Sequence, residues 1–340
     1  MTETRRSRLV AEVEFDRDGV QRGFVRLFHS THASAYGFIP IPIVVIRNGA
    51  GPTALFVGGT HGDEYEGQLA LCDLARTLTA EEIRGRVIIL PMANFPAALA
   101  GRRVSPIDDG NLNRVFPGDP DGGVTQQIAW FITHELLPRA VLVCDLHSGG
   151  SSLMYAPCAL MTDYPDDPRT PAVRAALDAF AAPLAYVATP AQGQGADQTL
   201  AGAAARQGVL ALGTELGGGG TVSPDALAMA KRGVWNLLVH LGILPAERRI
   251  PAAPTRVLEV GARDYFLYAD EDGVFEPLAV PGDMVAAGQP AGRLHATETP
   301  WAPPAELHFP RDGFVLCRRV PARSRRGDCL FGLGTDRTTA

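Results

Sequence analysis

Short, continuous apolar runs alternate with longer amphipathic segments from residue 53 to residue 241. A strand buried on both faces is apolar throughout, and it reaches a parallel neighbour through a crossover helix. This alternation therefore predicts an α/β domain with a largely parallel sheet flanked by helices. The predicted strands are residues 53–57, 86–90, 141–146, 184–188 and 209–212, and the predicted helices are residues 66–78, 128–137, 172–181, 199–206 and 224–241.

The sequence on either side of this region has a different character. Residues 1–40 are rich in β-branched and aromatic residues and predict an N-terminal β extension to a catalytic domain at 41–245. A proline-rich linker follows, and residues 255–336 predict a small all-β module that resembles a barrel-sandwich hybrid. Lys231 is the chain's only lysine, so this module cannot be a loaded carrier. We expect it to narrow the cleft as a wall or cap, or to form an oligomer contact.

Composition excludes several classes of protein. Hydrophobic residues make up 46% and charged residues 20%, and the net charge is −6, which is typical of a globular chain. No window approaches the ~20 apolar residues of a membrane span, and no basic block indicates nucleic acid. The five cysteines are scattered, without a CxxC pair. We expect a cytoplasmic protein with neither membrane nor nucleic acid as a partner.

Three polar clusters follow three of the predicted strands. Residues 58–64 read GGTHGDE, residues 145–149 read DLHSG, and residues 214–220 read TELGGGG. In an open α/β sheet, ligands bind outside the carboxyl ends of the strands. The clusters are therefore expected to project toward one site.

Two imidazoles and one carboxylate in these clusters form a set that can hold a catalytic zinc ion. His61, Glu64 and His147 have the short-then-long spacing of such a site, with one coordination position left for water. Each histidine alone could instead be an ordinary hydrogen-bonded residue at a strand end. Glu215 is a candidate general base and acid, or alternatively a carboxylate bonded to the amides of the glycine run after it.

A further cluster, at residues 101–118, carries arginines and asparagines. Arg114 with Asn113 would bind a substrate carboxylate, because a guanidinium fork and an amide supply matching donors. A second arginine could stabilise the oxyanion formed at an attacked carbonyl. The alternative is ordinary surface charge, since arginine is nearly the chain's exclusive cation.

The motifs GGTHGDE, NLNRVFPG, DLHSG and TELG, in that order, resemble the succinylglutamate desuccinylase/aspartoacylase family of the zinc-carboxypeptidase superfamily. The resemblance implies a zinc-carboxypeptidase-like fold with one zinc ion per subunit. It implies that His61, Glu64 and His147 hold the metal, and that Glu215 acts as general base and then as general acid.

The same resemblance assigns the substrate contacts. It implies Asn113 and Arg114 as the carboxylate clamp and Arg103 as the oxyanion-stabilising residue, with Arg102 as the one-position alternative. Many relatives have an aspartate where this chain has Asn111, so any role that the family gives to that acid is open here.

The runs HGDEYEG, NLNRVFPG and DLHSGG most resemble the group of deacetylases that act on Nα-acetyl-L-2,4-diaminobutyrate in ectoine degradation. We therefore expect a zinc-dependent amidohydrolase acting on a small-molecule N-acyl amino acid, with either a monomer or a homo-oligomer open as its assembly. The alternatives are an aspartoacylase or desuccinylase, a carboxypeptidase, or a non-catalytic metal- or ligand-binding protein. An acid at the pocket mouth would favour a diaminobutyrate substrate, whereas a further basic residue would favour an acidic one. Residues 151–157 are expected to line the pocket.

Overall fold

The fold is described from a computed structural model that covers residues 6–164, 167–189, 196–261 and 263–337. The α-helices of these residues are α1 (Tyr65–Thr77), α2 (Phe95–Ala100), α3 (Val124–Phe131), α4 (Thr170–Phe180), α5 (Leu200–Arg206) and α6 (Pro224–His240). The strands are β1 (Val10–Ala11), β2 (Gly19–Phe28), β3 (Phe38–Asn48), β4 (Thr53–Gly58), β5 (Gly85–Leu90), β6 (Leu142–His147), β7 (Leu153–Tyr155), β8 (Cys158–Thr162), β9 (Leu184–Ala188), β10 (Leu210–Glu215), β11 (Arg256–Val260), β12 (Phe266–Tyr268), β13 (Gly273–Pro277), β14 (Met284–Val285), β15 (Pro290–His295), β16 (Ala305–His308), β17 (Gly313–Arg319), β18 (Arg323–Ser324) and β19 (Cys329–Asp336).

A large mixed sheet forms the centre of the protein. Its order is β1-β2-β3-β5-β4-β6-β10-β8-β9-β11-β19-β17-β14. The strands β5, β4, β6 and β10 run parallel to one another, as the alternating sequence predicts. The strand β8 is antiparallel to β10, and β9 and β11 continue parallel to β8. The carboxyl ends of β4, β6 and β10, which carry the three polar clusters, are therefore adjacent.

Two apolar cores lie on opposite faces of this sheet. Helices α1, α4 and α6 cover one face, and α3 and α5 cover the other. In β3 the side chains alternate between the cores: Val44 and Ile46 face the first, whereas Ile43 and Val45 face the second. This two-faced burial explains the unbroken apolar runs, because neither side of a central strand meets water.

Helix α6 has the boundaries that its sequence indicates. Ser223 is the N-cap and accepts a hydrogen bond from the Ala226 amide, Pro224 opens the first turn, and Gly242 takes a positive φ of 69° just past the end. These are the preferred residues at those positions, since they satisfy the terminal amides or relieve a Cβ clash.

The prediction for the helix at 128–137 was wrong in its bounds. Helix α3 begins at Val124 after Gly123, and a wider turn, Ile132–Leu136, follows it. Thr125 lies in the first turn of α3. Its amide and hydroxyl both donate to Asp108, each at 2.8 Å, so a carboxylate from a distant loop caps this helix. Helix α2 and strands β7 and β8 were not predicted.

The C-terminal residues form a second sheet and extend the first. The strands β16-β15-β13-β18 form a separate four-stranded antiparallel sheet. The strands β11, β19, β17 and β14 instead continue the central sheet beyond β9. The linker expected at 245–254 falls between α6 and β11, while the division into independent domains stays a prediction. In the described part of the chain, no helix is both long enough and apolar enough to cross a membrane.

Candidate active site

The side chains of His61, Glu64 and His147 converge in a buried cluster at the carboxyl edge of the parallel strands. His61 lies in the loop after β4, Glu64 is the residue before α1, and His147 ends β6. One potential ligand atom from each lies within 4.8 Å of the others. The Nδ1 atom of His61 is 2.8 Å from Glu64 Oε1, and the Nδ1 atom of His147 is 2.8 Å from Glu64 Oε2. The donor set is therefore preassembled for a single metal ion.

The loop between β4 and α1 depends on two glycines. Gly59 has a φ of 63°, which a side chain disfavours. A Cβ at Gly62 would lie 2.0 Å from the carbonyl carbon of Ala97 in α2, so only glycine fits there. This close approach places His61 and Glu64 on either side of Gly62.

The outer nitrogen of each histidine ring is held by its own acceptor. His61 Nε2 donates to Asn111 Oδ1 at 3.0 Å, and His147 Nε2 donates to Asp145 Oδ2 at 2.8 Å. Asp145 also accepts a hydrogen bond from the Thr60 hydroxyl at 2.8 Å. Such partners fix the tautomer that leaves Nδ1 free for a metal. The hydrogen bonds at the two Nε2 atoms are therefore a second indication, besides the converging ligand atoms, that the cluster fits a metal ion.

Asn111 and Asp145 had no role predicted from their sequence context, although both stand two residues before a predicted site residue. Glu66 was also missed. It is fully buried and accepts hydrogen bonds from the Ser148 hydroxyl at 2.6 Å and from the Ser223 amide at 3.0 Å. This carboxylate ties the loop after β6 to the start of α6. Its place in the HGDEYEG run is the signal that could have identified it.

The charges of the cluster are strongly coupled. Burial raises the pKa of Glu64, but the two adjacent imidazoles outweigh it and hold that pKa far below its usual range. Burial lowers the pKa of His147, but Asp145 and Glu64 raise it overall to well above its ordinary value. Both ring nitrogens of His147 thus face carboxylate oxygens, which favours the protonated imidazole in the metal-free chain.

Glu215 stands next to His147 in the sheet. The two residues are aligned across the parallel strands β10 and β6. The Oε2 atom of Glu215 is buried without a hydrogen-bond partner, so it is not held there by the amides of the glycine run. Burial, with a contribution from the charge of Glu64, raises the pKa of Glu215 well above its usual value. A cation beside it would lower that pKa again and favour the carboxylate.

The glycine run after Glu215 bonds instead to strand β7. The amide of Tyr155 donates to the Gly217 carbonyl at 3.0 Å, and the amide of Gly219 donates to the Leu153 carbonyl at 3.0 Å. A Cβ at Gly218 would lie 2.0 Å from that same carbonyl oxygen. Glycine is therefore needed in this run, because β7 packs directly against its backbone.

A cleft of about 530 Å³ opens over the cluster. Every predicted site residue lines it: His61, Glu64, Arg103, Asn113, Arg114, His147 and Glu215. Ser152, Leu153 and Tyr155 also line it, as expected for the 151–157 segment. The described lining residues all lie between 61 and 215, so the C-terminal module does not reach the cleft as a wall or cap. Its strand β17 instead pairs with β7 from behind, with Cys317 aligned to Tyr155.

Arg103 and Arg114 both line the cleft. Arg103 Nη1 is 3.3 Å from Glu64 Oε1, whereas Arg102 is exposed and does not line the cleft. Burial lowers the pKa of Arg114, and the charge of Arg103 lowers it further, so the two guanidiniums are near enough to interact. Together they are suited to bind an anion.

Asn113 is fixed by its neighbours. Its Oδ1 accepts the Leu200 amide at 2.9 Å, and its Nδ2 lies 3.0 Å from His147 Nε2. The Asn111 side chain accepts the Asn113 amide at 3.1 Å and so caps the short turn Leu112–Arg114. Asn111 therefore connects the His61 ring to the turn that carries Asn113 and Arg114.

The fold and the His-Glu-His site define a metallohydrolase of the carboxypeptidase type. Comparison with known proteins identifies its family. Residues 50–241 match the model of the succinylglutamate desuccinylase/aspartoacylase catalytic domain, and the chain belongs to this family. The resemblance carried by the motifs is thereby confirmed.

Individual relatives are similar over nearly the whole chain. The Nα-acetyl-L-2,4-diaminobutyric acid deacetylase of Halomonas elongata is 42% identical over 326 residues, which cover 96% of this chain and 94% of that protein. The product-bound structure of the ectoine utilization protein EutE (DoeB) from Ruegeria pomeroyi is 42% identical with a TM-score of 0.93, covering 97% of this chain and 100% of the other. A succinylglutamate desuccinylase/aspartoacylase from Rhodobacter sphaeroides is 40% identical with a TM-score of 0.92, covering 98% and 100%.

Proposed function

We propose that this protein is a zinc-dependent deacylase that hydrolyses the amide bond of Nα-acetyl-L-2,4-diaminobutyrate. The observation that carries the proposal is the buried His61-Glu64-His147 cluster, with Glu215 beside it and two arginines lining the same cleft. The 42% identity to a deacetylase named for this substrate, over 96% of the chain, supports the choice of substrate.

The donor set favours zinc. Two imidazole nitrogens and one carboxylate are the ligands of catalytic zinc sites that keep a position open for water. Zinc bound there would supply a Lewis acid that polarises the amide carbonyl and activates water near neutral pH. His61, Glu64 and His147 would hold it, and Asn111 and Asp145 would fix the two rings.

The remaining residues have roles that follow from their positions. Glu215, which lines the cleft beside His147, takes a proton from the attacking water and passes it to the leaving amine. Arg103, which contacts Glu64, stabilises the negative charge that develops on the carbonyl oxygen. Arg114 and Asn113 bind the substrate's free carboxylate.

The cleft favours this substrate over a more acidic one. Among the described lining residues, Arg103 and Arg114 are the only arginines and there is no lysine. One carboxylate together with the developing oxyanion already requires both. A succinyl or aspartyl side chain would bring a further negative charge without a cation to pair it.

A hydrolysis panel tests the proposal. The zinc-loaded protein is assayed for amine release from Nα-acetyl-L-2,4-diaminobutyrate, N-acetyl-L-aspartate, Nα-acetyl-L-ornithine and N-succinyl-L-glutamate, with protein stripped of metal as the control. We expect the highest kcat/KM for the diaminobutyrate derivative. Preference for an acidic substrate would overturn the substrate assignment, and inactivity on the whole panel would overturn the proposed deacylase activity.

A further inference from the structure

Three residues on neighbouring strands form one row across the floor of the cleft. Gly213 of β10 is aligned with Leu160 of β8, and Leu160 is aligned with Tyr186 of β9. All three line the cleft. Side chains aligned across adjacent strands project from the same face of a sheet. The row therefore forms a continuous strip of the cleft floor.

The glycine in this row lets the Leu160 side chain lie close over β10. A Cβ at Gly213 would lie 3.1 Å from both Cγ and Cδ1 of Leu160, so a methyl group there would press against this side chain. On its other side, Gly213 is aligned with Asp145 of β6. The row thus continues from a strand of the metal cluster to Leu160 and Tyr186.

The distance across the row suits a short side chain. Neighbouring strands lie about 4.8 Å apart, so β9 is about 14 Å across the sheet from β6, which carries His147. In a diaminobutyrate derivative, five bonds of about 1.5 Å separate the amide carbon from the side-chain nitrogen, a span of roughly 6 Å when extended. A hydrogen bond adds about 3 Å, and the side chain of Tyr186 spans the remaining distance from β9.

The Tyr186 end of the row is suited to a cation. The Tyr186 hydroxyl makes no hydrogen bond to another residue of the described part of the chain, although Tyr186 lines the cleft. Burial, with the charge of Glu215, raises the pKa of Tyr186 well above 10, so the phenol stays neutral. A neutral phenol offers lone pairs and an aromatic face to an ammonium group.

We propose that the Gly213–Leu160–Tyr186 row is the subsite for the substrate's side chain, and that the Tyr186 hydroxyl accepts a hydrogen bond from a side-chain ammonium group. The inference rests on the proposed deacylase function. It adds the residue that selects an N-acyl amino acid with a short cationic side chain.

The test compares a cationic substrate with its apolar isostere. The ratio of kcat/KM for Nα-acetyl-L-2,4-diaminobutyrate to that for N-acetyl-L-norvaline is measured for the wild type and for Tyr186→Phe. This variant keeps the ring and removes only the acceptor. We expect the ratio to fall by about 10- to 100-fold, the range for a lost hydrogen bond to a charged group.

Tyr155→Phe is the matched control. Tyr155 lines the same cleft, but its hydroxyl is engaged with the Cys317 thiol. Its loss should change the substrate ratio less than twofold. Gly213→Ala tests the row itself: the added methyl pushes the Leu160 side chain out of place and should lower kcat/KM for the diaminobutyrate derivative several-fold more than for N-acetylglycine, which has no side chain.

An unchanged substrate ratio in Tyr186→Phe, or an equal loss in both tyrosine variants, would overturn the subsite. If the wild type hydrolyses none of these substrates, the proposed function fails instead. Calorimetric binding of L-2,4-diaminobutyrate to the wild type and to Tyr186→Phe then decides the subsite alone, with equal affinity counting against it.

Discussion

Replacing Asp145 by asparagine should weaken zinc binding without disturbing the fold. Asp145 is 6% exposed and accepts the Nε2 proton of His147 at 2.8 Å. Asparagine has the same shape and retains one acceptor oxygen, and the Thr60 hydroxyl can rotate to accept from the new amide. The substitution therefore removes mainly the negative charge that makes the His147 ring a stronger ligand.

The expected magnitude follows from the kind of contact that is lost. Removing an outer partner of a metal-bound histidine typically costs 10- to 100-fold in affinity, or about 1.4 to 2.7 kcal/mol. The deficit should grow with pH. Because Asp145 raises the pKa of His147 in the metal-free chain, a proton competes with zinc more strongly in the wild type than in the variant. We expect a larger deficit at pH 8.5 than at pH 6.5.

The assay is a competition for zinc between the metal-free protein and a chromophoric chelator, with thermal unfolding of the metal-free forms as the folding check. Asn111→Asp is the reciprocal variant, because it gives His61 the charged partner that His147 already has. It should bind zinc more tightly than the wild type. A twofold or smaller loss in Asp145→Asn at both pH values would refute the reasoning.

Three further results are expected. Glu215→Gln should keep its zinc content while kcat falls about 10²- to 10⁴-fold, because the proton acceptor is lost; metal analysis alongside steady-state kinetics checks this. Arg114→Ala should lower kcat/KM about 10- to 100-fold, mainly through KM, since a charged hydrogen bond to the substrate carboxylate is removed, whereas Arg102→Ala, at an exposed position outside the cleft, should change it less than twofold. Asp108→Asn should destabilise the fold by roughly 0.5–1 kcal/mol at pH 7 through the weakened cap on Thr125. Burial raises the pKa of Asp108, but its hydrogen bonds from Thr125 lower it overall, so this stabilisation is fully present above the ordinary aspartate pKa. In urea unfolding, the difference should shrink as the pH falls below that value and vanish below the lowered pKa of the folded state.

The metal cluster could be predicted from the sequence because each ligand is recognised by its position next to a strand. Each predicted ligand follows, or ends, an apolar strand, and parallel strands bring their carboxyl ends to one edge of a sheet. The adjacency of β4, β6 and β10 then places His61 and His147 on either side of Glu64. No long-range information beyond the strand order was needed.

The partners of the histidines could not be predicted in the same way. Asn111 lies 50 residues from His61 in the sequence. Its loop is held by the hydrogen bonds between Asp108 and Thr125 of α3, which no periodicity of the sequence predicts. Strand β8 was missed for a related reason. It is antiparallel to β10 and joined to β6 through the short strand β7, so the alternation of strand and helix is broken there. Residues of both β7 and β8 line the cleft.

The C-terminal module influences the cleft without lining it. Strand β7 lies between the Gly217–Gly219 backbone on one side and β17 on the other, and it has only three residues. A strand this short has few contacts of its own to hold its position. The pairing of β17 with β7, with Cys317 aligned to Tyr155, therefore makes the module a support for the residues that line the cleft. The fusion of the module to the central sheet through β11 and β19 gives that wall a rigid backing, which a flexibly linked domain could not provide.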